Sequence, residues 1–471
     1  KNFNLPNLFN KKNIIYLVII FLLIPIYLSQ KYHEDFGYYH LPYALSFIEE
    51  KIVFGFANIN KAYVYNSLWL NLYPVFFLSD KNFDFLTLPS LLLFLNFILF
   101  SYHQIISKSK TLISDYYLVV ILFYFILKFT RISEFGVDLP AAIFSVLAIY
   151  YFIRFSETDT IEERKEHFYL ISIFSIFSVL IKLSTLPIIL LPILLYLKYF
   201  TDLKNYIFKL KFLYIYALLI IFLIQQFIYT GCFFFPTNAT CFNVSWFNEE
   251  NLSLSSQLEL INKSYSVAKD FYTPEEYLEN FNWIIFWAKR NFIEILEHFL
   301  TILLPSLLFL FFLKNRKNHQ ILLKNKLDLY IFLFVALFFW LNFSPVYRFS
   351  IHLFVTLVFI VLVSQFSVKK FSKKVFIFFL LTFTLFNFSK NILRLDKVDN
   401  IFLGIQKINN NYVVNKKNKN KIITIYRPDI KNNSKNGWQG RLCWDIPFIC
   451  SSNELSIEKK NGYLLINKIN N

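Results

Sequence analysis

The sequence is poor in charge, glycine and cysteine and has no methionine: 17% of its 471 residues are charged, 8 are Gly and 4 are Cys. A soluble domain is about one quarter charged. With 56% hydrophobic and 21% aromatic content, the low charge excludes an ordinary water-soluble fold and indicates an integral membrane protein. P-loop, GxGxxG, HExxH and GxSxG motifs are also missing, so nucleotide use and zinc-protease chemistry have no support. Abundant Phe, Tyr, Ile, Leu, Lys and Asn beside scarce Gly reads as AT-rich codon usage, which makes any single Asn, Lys or Phe weak evidence.

What is present is a series of apolar runs. About 20 residues cross roughly 30 Å of hydrocarbon, and shorter runs suffice if their flanks snorkel. Eleven candidate spans follow, near 14–29, 85–106, 115–130, 137–153, 168–181, 185–199, 212–229, 291–313, 328–343, 349–366 and 375–389. The first has no small-residue cleavage site after it and reads as a retained anchor. Segments 1–13, 107–114, 154–167, 198–211, 314–327 and 367–374 carry 3, 2, 3, 4, 5 and 4 basic residues in strict alternation. Short basic loops stay cytoplasmic, which predicts an internal N-terminus and an external C-terminus in a bacterial cytoplasmic membrane. Residues 1–389 then form a multi-span domain with external loops 30–84 and 230–290, and 390–471 an external C-terminal domain.

The net charge of +17 needs no nucleic acid. Beyond the cytoplasmic loops, the tail holds 15 Lys or Arg against 6 Asp or Glu; it reads as a solvated surface, or one that touches anionic lipid or glycan. Cys232 and Cys241 share one external loop, and Cys443 and Cys450 share the tail, in the compartment where disulfides persist. Two local bridges are the natural pairing; free thiols are the alternative, and a zinc site lacks CxxC spacing or a nearby His.

In the first external loop, LPYALSFIEE (41–50) puts Leu41, Ala44, Leu45 and Ile48 on one stripe, as in an interfacial helix. NKAYVYNSLWLNLYPVFFL offers Tyr63, Tyr65, Trp69 and Tyr73 for the headgroup level of a second surface helix. The 230–290 loop reads as a turn-rich cap with a short helix near 275–288. Strand-like KIITIY and GYLLI flank a polar middle in the tail. The expected fold class is therefore an all-α polytopic membrane protein with a small α/β external appendage.

This arrangement resembles the GT-C superfamily of polytopic glycosyltransferases, with acidic residues directly after the first span, two juxtamembrane helices and short charged loops between later spans. More narrowly, DFGYYHLPYALSFIEEKIVFGFANINKAYVYNSLWLNLYPVFF, ISEFGVDLPAA, GCFFFP with its following SW, PVYRF and CWDIPFIC resemble a group of bacterial membrane proteins often found among surface-polysaccharide genes. The resemblance spans most of the chain. It implies a lipid-phosphate-linked sugar as donor and chemistry at the external leaflet, and it bears on fold more than on substrate.

Such a transfer needs an external carboxylate to take the acceptor's proton and cations to hold the departing phosphate. Asp35 aligns with the acidic position of the superfamily's first-loop motif and is the candidate base, with Glu34 the adjacent alternative. His40 suits a role in orienting that carboxylate or binding phosphate; the plainer reading is a polar exit from span one. Glu134 and Asp138 stand at another external turn, where a carboxylate at bilayer depth usually faces a wet cavity or a partner. They suit sugar hydroxyls or a divalent cation; alternatively Asp138 is a helix N-cap followed by Pro140. Lys182 and Arg348 are rare basic residues in short external connections, matching a bound anion or snorkelling to headgroups. Arg131 and His352 are weaker additions.

The leading expectation is an inverting glycosyltransferase acting on a polyprenyl-phosphate-linked sugar among membrane lipids, without nucleotide. The alternatives are an O-antigen-type polymerase and a non-enzymatic lipid or polysaccharide flippase. A flippase predicts charges deep in several spans and matching halves; here the charges cluster at external ends and the halves do not match.

Overall fold

A computed structural model describes residues 11–28, 35–76, 85, 87–107, 112–128, 136–311, 325–365, 372–395, 413–415, 425–427, 443 and 446–469. The helices are α1 (Lys11–Leu28), α2 (Leu41–Glu49), α3 (Leu88–Ser107), α4 (Ile113–Lys128), α5 (Asp138–Glu157), α6 (Ile161–Ile181), α7 (Leu190–Lys198) and α8 (Phe200–Leu203). They continue as α9 (Phe212–Thr230), α10 (Leu254–Asn262), α11 (Pro274–Leu278), α12 (Trp283–Phe311), α13 (Lys326–Phe343), α14 (Ile351–Gln365) and α15 (Lys373–Leu395). Five strands complete the set: β1 (Val53–Phe54), β2 (Val413–Asn415), β3 (Ile425–Arg427), β4 (Leu455–Lys460) and β5 (Tyr463–Lys468).

Each of the eleven apolar runs falls on a helix, but the helices are unequal. Among the described residues six are long and apolar enough to cross a membrane, α3, α5, α9, α12, α13 and α15. By that measure six of the expected eleven spans are supported. The apolar stretches Ile14–Leu28, Leu183–Lys198 and Ile351–Leu362 are shorter, α4 has 16 residues, and α6 opens on the charged IEERKEH. Helix α12 has 29 residues, about 44 Å at 1.5 Å per residue. It therefore exceeds the hydrocarbon and begins at Trp283, before the apolar run expected at 291.

Like α4, whose residues Ile113 to Ile126 are all buried, helix α5 is central. Its apolar window is 83% buried, against 22% for α9 and α12, so α5 faces protein on most sides while α9 and α12 leave most of their apolar surface exposed. It packs most extensively on α6. A large core joins residues of these helices with α3, α4, α14 and α15.

A second core forms outside that bundle. It joins Phe36, Tyr43, Phe56, Tyr63 and Tyr73 of the first loop to Ile449, Leu455, Leu464 and Ile466 of the tail. The expected surface helix is present as α2, but it is covered: Leu41 to Ser46 are buried, Tyr43 included, while Ile48 is exposed. The expected stripe is thus buried in protein at Leu41, Ala44 and Leu45 and leaves the core only at Ile48. The second expected surface helix is two 3₁₀ segments, Lys61–Val64 and Leu70–Phe76. In and between these segments Tyr63, Trp69 and Tyr73 are buried in the same core, covered by protein and not presented on a surface helix.

The tail is tied to the first loop through a sheet of order β1-β5-β4, in which Val53 pairs with Leu464 and Phe54 with Leu465 in parallel. After α15, the described residues contribute strands and no helix, so the α/β character expected of the tail is limited to its β part. Disulfides join Cys232 to Cys241 and Cys443 to Cys450.

Candidate functional site

Helix α5 opens on Asp138-Leu139-Pro140. Proline is tolerated in a first turn because its missing N–H has no intrahelical partner there. Asp138 stands inside the helix, with Val137 at the cap position and no capping side chain, so the N-cap reading does not hold. A carboxylate in the first turn also complements the helix dipole. Asp138 is only 9% exposed, and its carboxylate forms ion pairs with Lys182 and, at 3.3 Å, with Arg348 Nε.

The residue that ends α6 is Ile181, and Lys182 leaves the helix in an extended conformation. Hydroxyl contacts fix this corner: Ser178 Oγ lies within donating distance of Ala141 O (3.0 Å) and Thr185 Oγ1 (2.9 Å), which share its one hydrogen, and Thr185 Oγ1 donates to Lys182 O (2.8 Å). Ser145 Oγ lies 2.6 Å from Ser178 Oγ, so α5, α6 and the turn after α6 share one small polar knot. It sets the Lys182 ammonium 3.3 Å from the centre of the Phe349 ring, a cation–π contact.

Arg348 comes from the 3₁₀ turn Tyr347–Phe349 between α13 and α14. Two indoles hold that connection, Trp287 Nε1 donating to Pro345 O (2.6 Å) and Trp340 Nε1 to Val346 O (2.9 Å). Tyr347 stacks on His298 at 4.2 Å, and His298 Nδ1 lies 2.8 Å from Tyr124 Oη.

Asp35 stands at the start of the π-helical turn Phe36–His40. Burial works against the Arg348 charge, but the carboxylates of Asp138 and then Asp35 outweigh it and raise its pKa. Tyr39, half-buried and facing the same two carboxylates, has its pKa raised well above the usual phenol value by desolvation and then by those charges, and remains a neutral hydroxyl. His40 is buried in the same turn, its ring centre 4.1 Å from that of Tyr39.

The structure thus assembles Asp138, Lys182 and Arg348 in contact, with Asp35 and Tyr39 near enough to act on Arg348 electrostatically. His40 joins through Tyr39. His352 is buried in α14. Glu34, Arg131 and Glu134 lie outside the described residues. Sequence reasoning missed Tyr39 and Phe349, although both stand in quoted motifs, DFGYYH and PVYRF; a ring beside a charge carries no local signal. Among the described residues no three His, Cys, Asp or Glu side chains converge as a metal would require. Both Asp138 oxygens already face cations.

Two cations gathered on one buried carboxylate, with a second carboxylate close by, form a centre that can take an anion and move a proton. Fold and centre together define a helical membrane protein with a charged site at one end of its bundle. The chain belongs to the family described as domain of unknown function DUF8201, whose model matches residues 2–355. That span contains Asp35, Asp138, Lys182 and Arg348 and stops before the tail strands. No curated protein and no solved structure matches the chain.

Proposed function

We propose that the protein is an inverting, GT-C-type glycosyltransferase that moves a sugar from a polyprenyl-phosphate-type lipid donor to a glycan or lipid acceptor at the outer face of the cytoplasmic membrane. In this reading all eleven apolar helices span, the N-terminus is cytoplasmic, and loops 30–84 and 230–290 and the tail are external. The observation that carries it is the meeting of Asp138, Lys182 and Arg348, from three separate connections, beside Asp35.

The acceptor hydroxyl attacks the anomeric carbon from the face opposite the phosphate. A bond forms from the acceptor oxygen to that carbon, and the carbon–phosphate oxygen bond breaks with its electron pair leaving on the phosphate. Asp35 accepts the hydroxyl proton. Arg348 and Lys182 meet the negative charge that grows on the departing phosphate, Arg348 through parallel hydrogen bonds and Lys182 as a point charge. Asp138 is a positioning residue that holds both cations in a poorly solvated setting. Neutral Tyr39 offers a hydroxyl donor to a phosphate or sugar oxygen.

Asp35→Asn tests this by keeping size and polarity while removing the proton acceptor. Transfer from a polyprenyl-phosphate sugar, measured with purified protein in lipid nanodiscs, is expected to fall by about 10² or more with donor binding retained. A well-folded Asp35→Asn protein that transfers at the normal rate removes Asp35 as the base.

A further inference from the structure

We propose a second site, a cleft for a neutral saccharide, at the seam where the first loop, the 231–282 cap and the C-terminal strand meet. The cleft has a volume of about 430 Å³, within the range of roughly 300–1,000 Å³ typical of ligand pockets. Such pockets are usually apolar, whereas Asn58, Ser245, Asn248, Glu249 and Asn467 line this one, with Phe247 the aromatic side chain among them.

Its walls are fixed before any ligand arrives. Asn58 Nδ2 donates to Trp246 O and to Ile466 O, both at 2.9 Å, and Asn58 Oδ1 accepts from Asn251 Nδ2 at 3.3 Å. Asn467, with its amide nitrogen turned toward Ser245 O (2.7 Å) and Ile466 O (3.3 Å), leaves its carbonyl oxygen as an acceptor. Asn248 Oδ1 accepts from Glu250 N at 3.0 Å. Asn248 Nδ2 is buried and makes no hydrogen bond among the described residues, in a residue 9% exposed. A buried donor is costly to leave unmade, so this amide marks where a ligand acceptor belongs.

The chemistry selects a hydroxyl-rich, uncharged ligand. Amide groups both donate and accept, as sugar hydroxyls do, and the Phe247 ring can cover an apolar pyranose face. The lysine of the cleft, Lys468, is ion-paired with Glu250, which leaves Glu249 to set a negative balance that disfavours uronates and phosphates. Binding stands on the cleft alone. Naming the saccharide as the acceptor glycan rests on the transferase reading.

Saturation-transfer NMR on the full-length protein in detergent, with maltose, N,N′-diacetylchitobiose and digalacturonate as probes, separates the two claims because it needs no transfer activity. At least one neutral disaccharide is expected to bind and digalacturonate to bind at least about tenfold more weakly. Asn248→Asp keeps the acceptor for Glu250 N but removes the amide donor, and is expected to weaken neutral-sugar binding about tenfold or more. Phe247→Leu, which leaves the polar walls intact, is expected to weaken it severalfold. Failure of both neutral sugars to bind, equal binding of digalacturonate, or unchanged binding by both folded variants overturns the proposal. Normal sugar binding in a protein without transferase activity leaves the cleft standing and removes the acceptor assignment.

Discussion

At the Asp138 cluster a carboxylate 9% exposed meets a lysine side chain 16% exposed and an arginine 25% exposed. Toward the opposite end of α6, Glu166, 61% exposed, pairs with Lys211 at 2.6 Å, and at the end of α7 the half-exposed Lys198 pairs at 2.8 Å with the buried Asp328, an intermediate case. Exposed pairs contribute about 0–1 kcal/mol because water and salt screen them. Burying charges costs several kcal/mol per ion, repaid only by well-made contacts, and apolar replacements of a whole buried pair are often neutral or better. Stability is thus a weak reason for keeping three charges together at the cluster, and reactivity toward an anion is a stronger one. On the proposed reading, the contrast separates a set of charges held for chemistry from charges that dress the ends of helices.

The sharpest way to break the contrast is Asp138→Asn, which strands two cations at a buried site. The expected loss is about 3–5 kcal/mol, read as a fall in thermal stability in nanodiscs. Asp138→Asn combined with Lys182→Met removes one stranded cation and should recover a substantial part of that loss without restoring transfer. Full additivity of the two substitutions would mean that the charges are not coupled.

Gly55→Ala probes the seam in place of the charges. Gly55 has φ +75°, and an added Cβ would stand 2.2 Å from Ile466 O and 2.9 Å from Trp246 Cβ. The strand pairing of Val53 and Phe54 with β5 has to yield, at an expected cost above about 1 kcal/mol. Limited proteolysis should then cut the tail faster while donor binding at the cluster persists. Loss of both together would show that seam and cluster fold as one unit.

The smallest effect belongs to the exposed pair. The hydrogen bond from Lys211 lowers the Glu166 pKa below its ordinary value of 4.5, with further help from Tyr206 and against slight burial. Glu166 precedes the apolar run of α6. A depressed carboxylate stabilises the fold above its unfolded pKa and loses that contribution as pH falls through the folded one. Lys211→Ala should therefore cost less than about 1 kcal/mol at pH 7. The gap from the unsubstituted protein should close below the ordinary carboxylate range, as thermal scans across pH would show.

Much of the helical framework is legible in the sequence because a bilayer demands long apolar runs, and every such run is helical. Lys182 and Arg348 stand out by breaking the charge bias of short connections expected to be external, and Asp138 by its place before an apolar segment. Other features depend on packing between distant segments. Val53-Phe54 is too short to declare a strand and becomes one by pairing with residues about four hundred positions later. The apolar spacing of α2 places Ile48 inside, yet Ile48 is exposed and Tyr43 is buried, because Phe56, Tyr63 and Tyr229 pack around the Tyr43 ring and Asn71 accepts from its hydroxyl. Trp69 and Tyr73 have the amphipathic character of interfacial rings, and their burial follows from the second core that the tail completes. Phe349 beneath Lys182 is visible only once α6 and the turn before α14 lie side by side.

The most direct measurement is the affinity of the protein in nanodiscs for a polyprenyl phosphate, with Arg348→Ala and Arg348→Lys beside the unsubstituted chain. Losing a charged contact in a poorly solvated site is worth about 1.5–3 kcal/mol, so Arg348→Ala should bind roughly tenfold to a hundredfold more weakly. Arg348→Lys should recover only part of that loss, because a point charge does not replace two parallel hydrogen bonds. A folded Arg348→Ala protein that binds polyprenyl phosphate as tightly as the unsubstituted chain would contradict the assignment of this cluster to a lipid-linked phosphate.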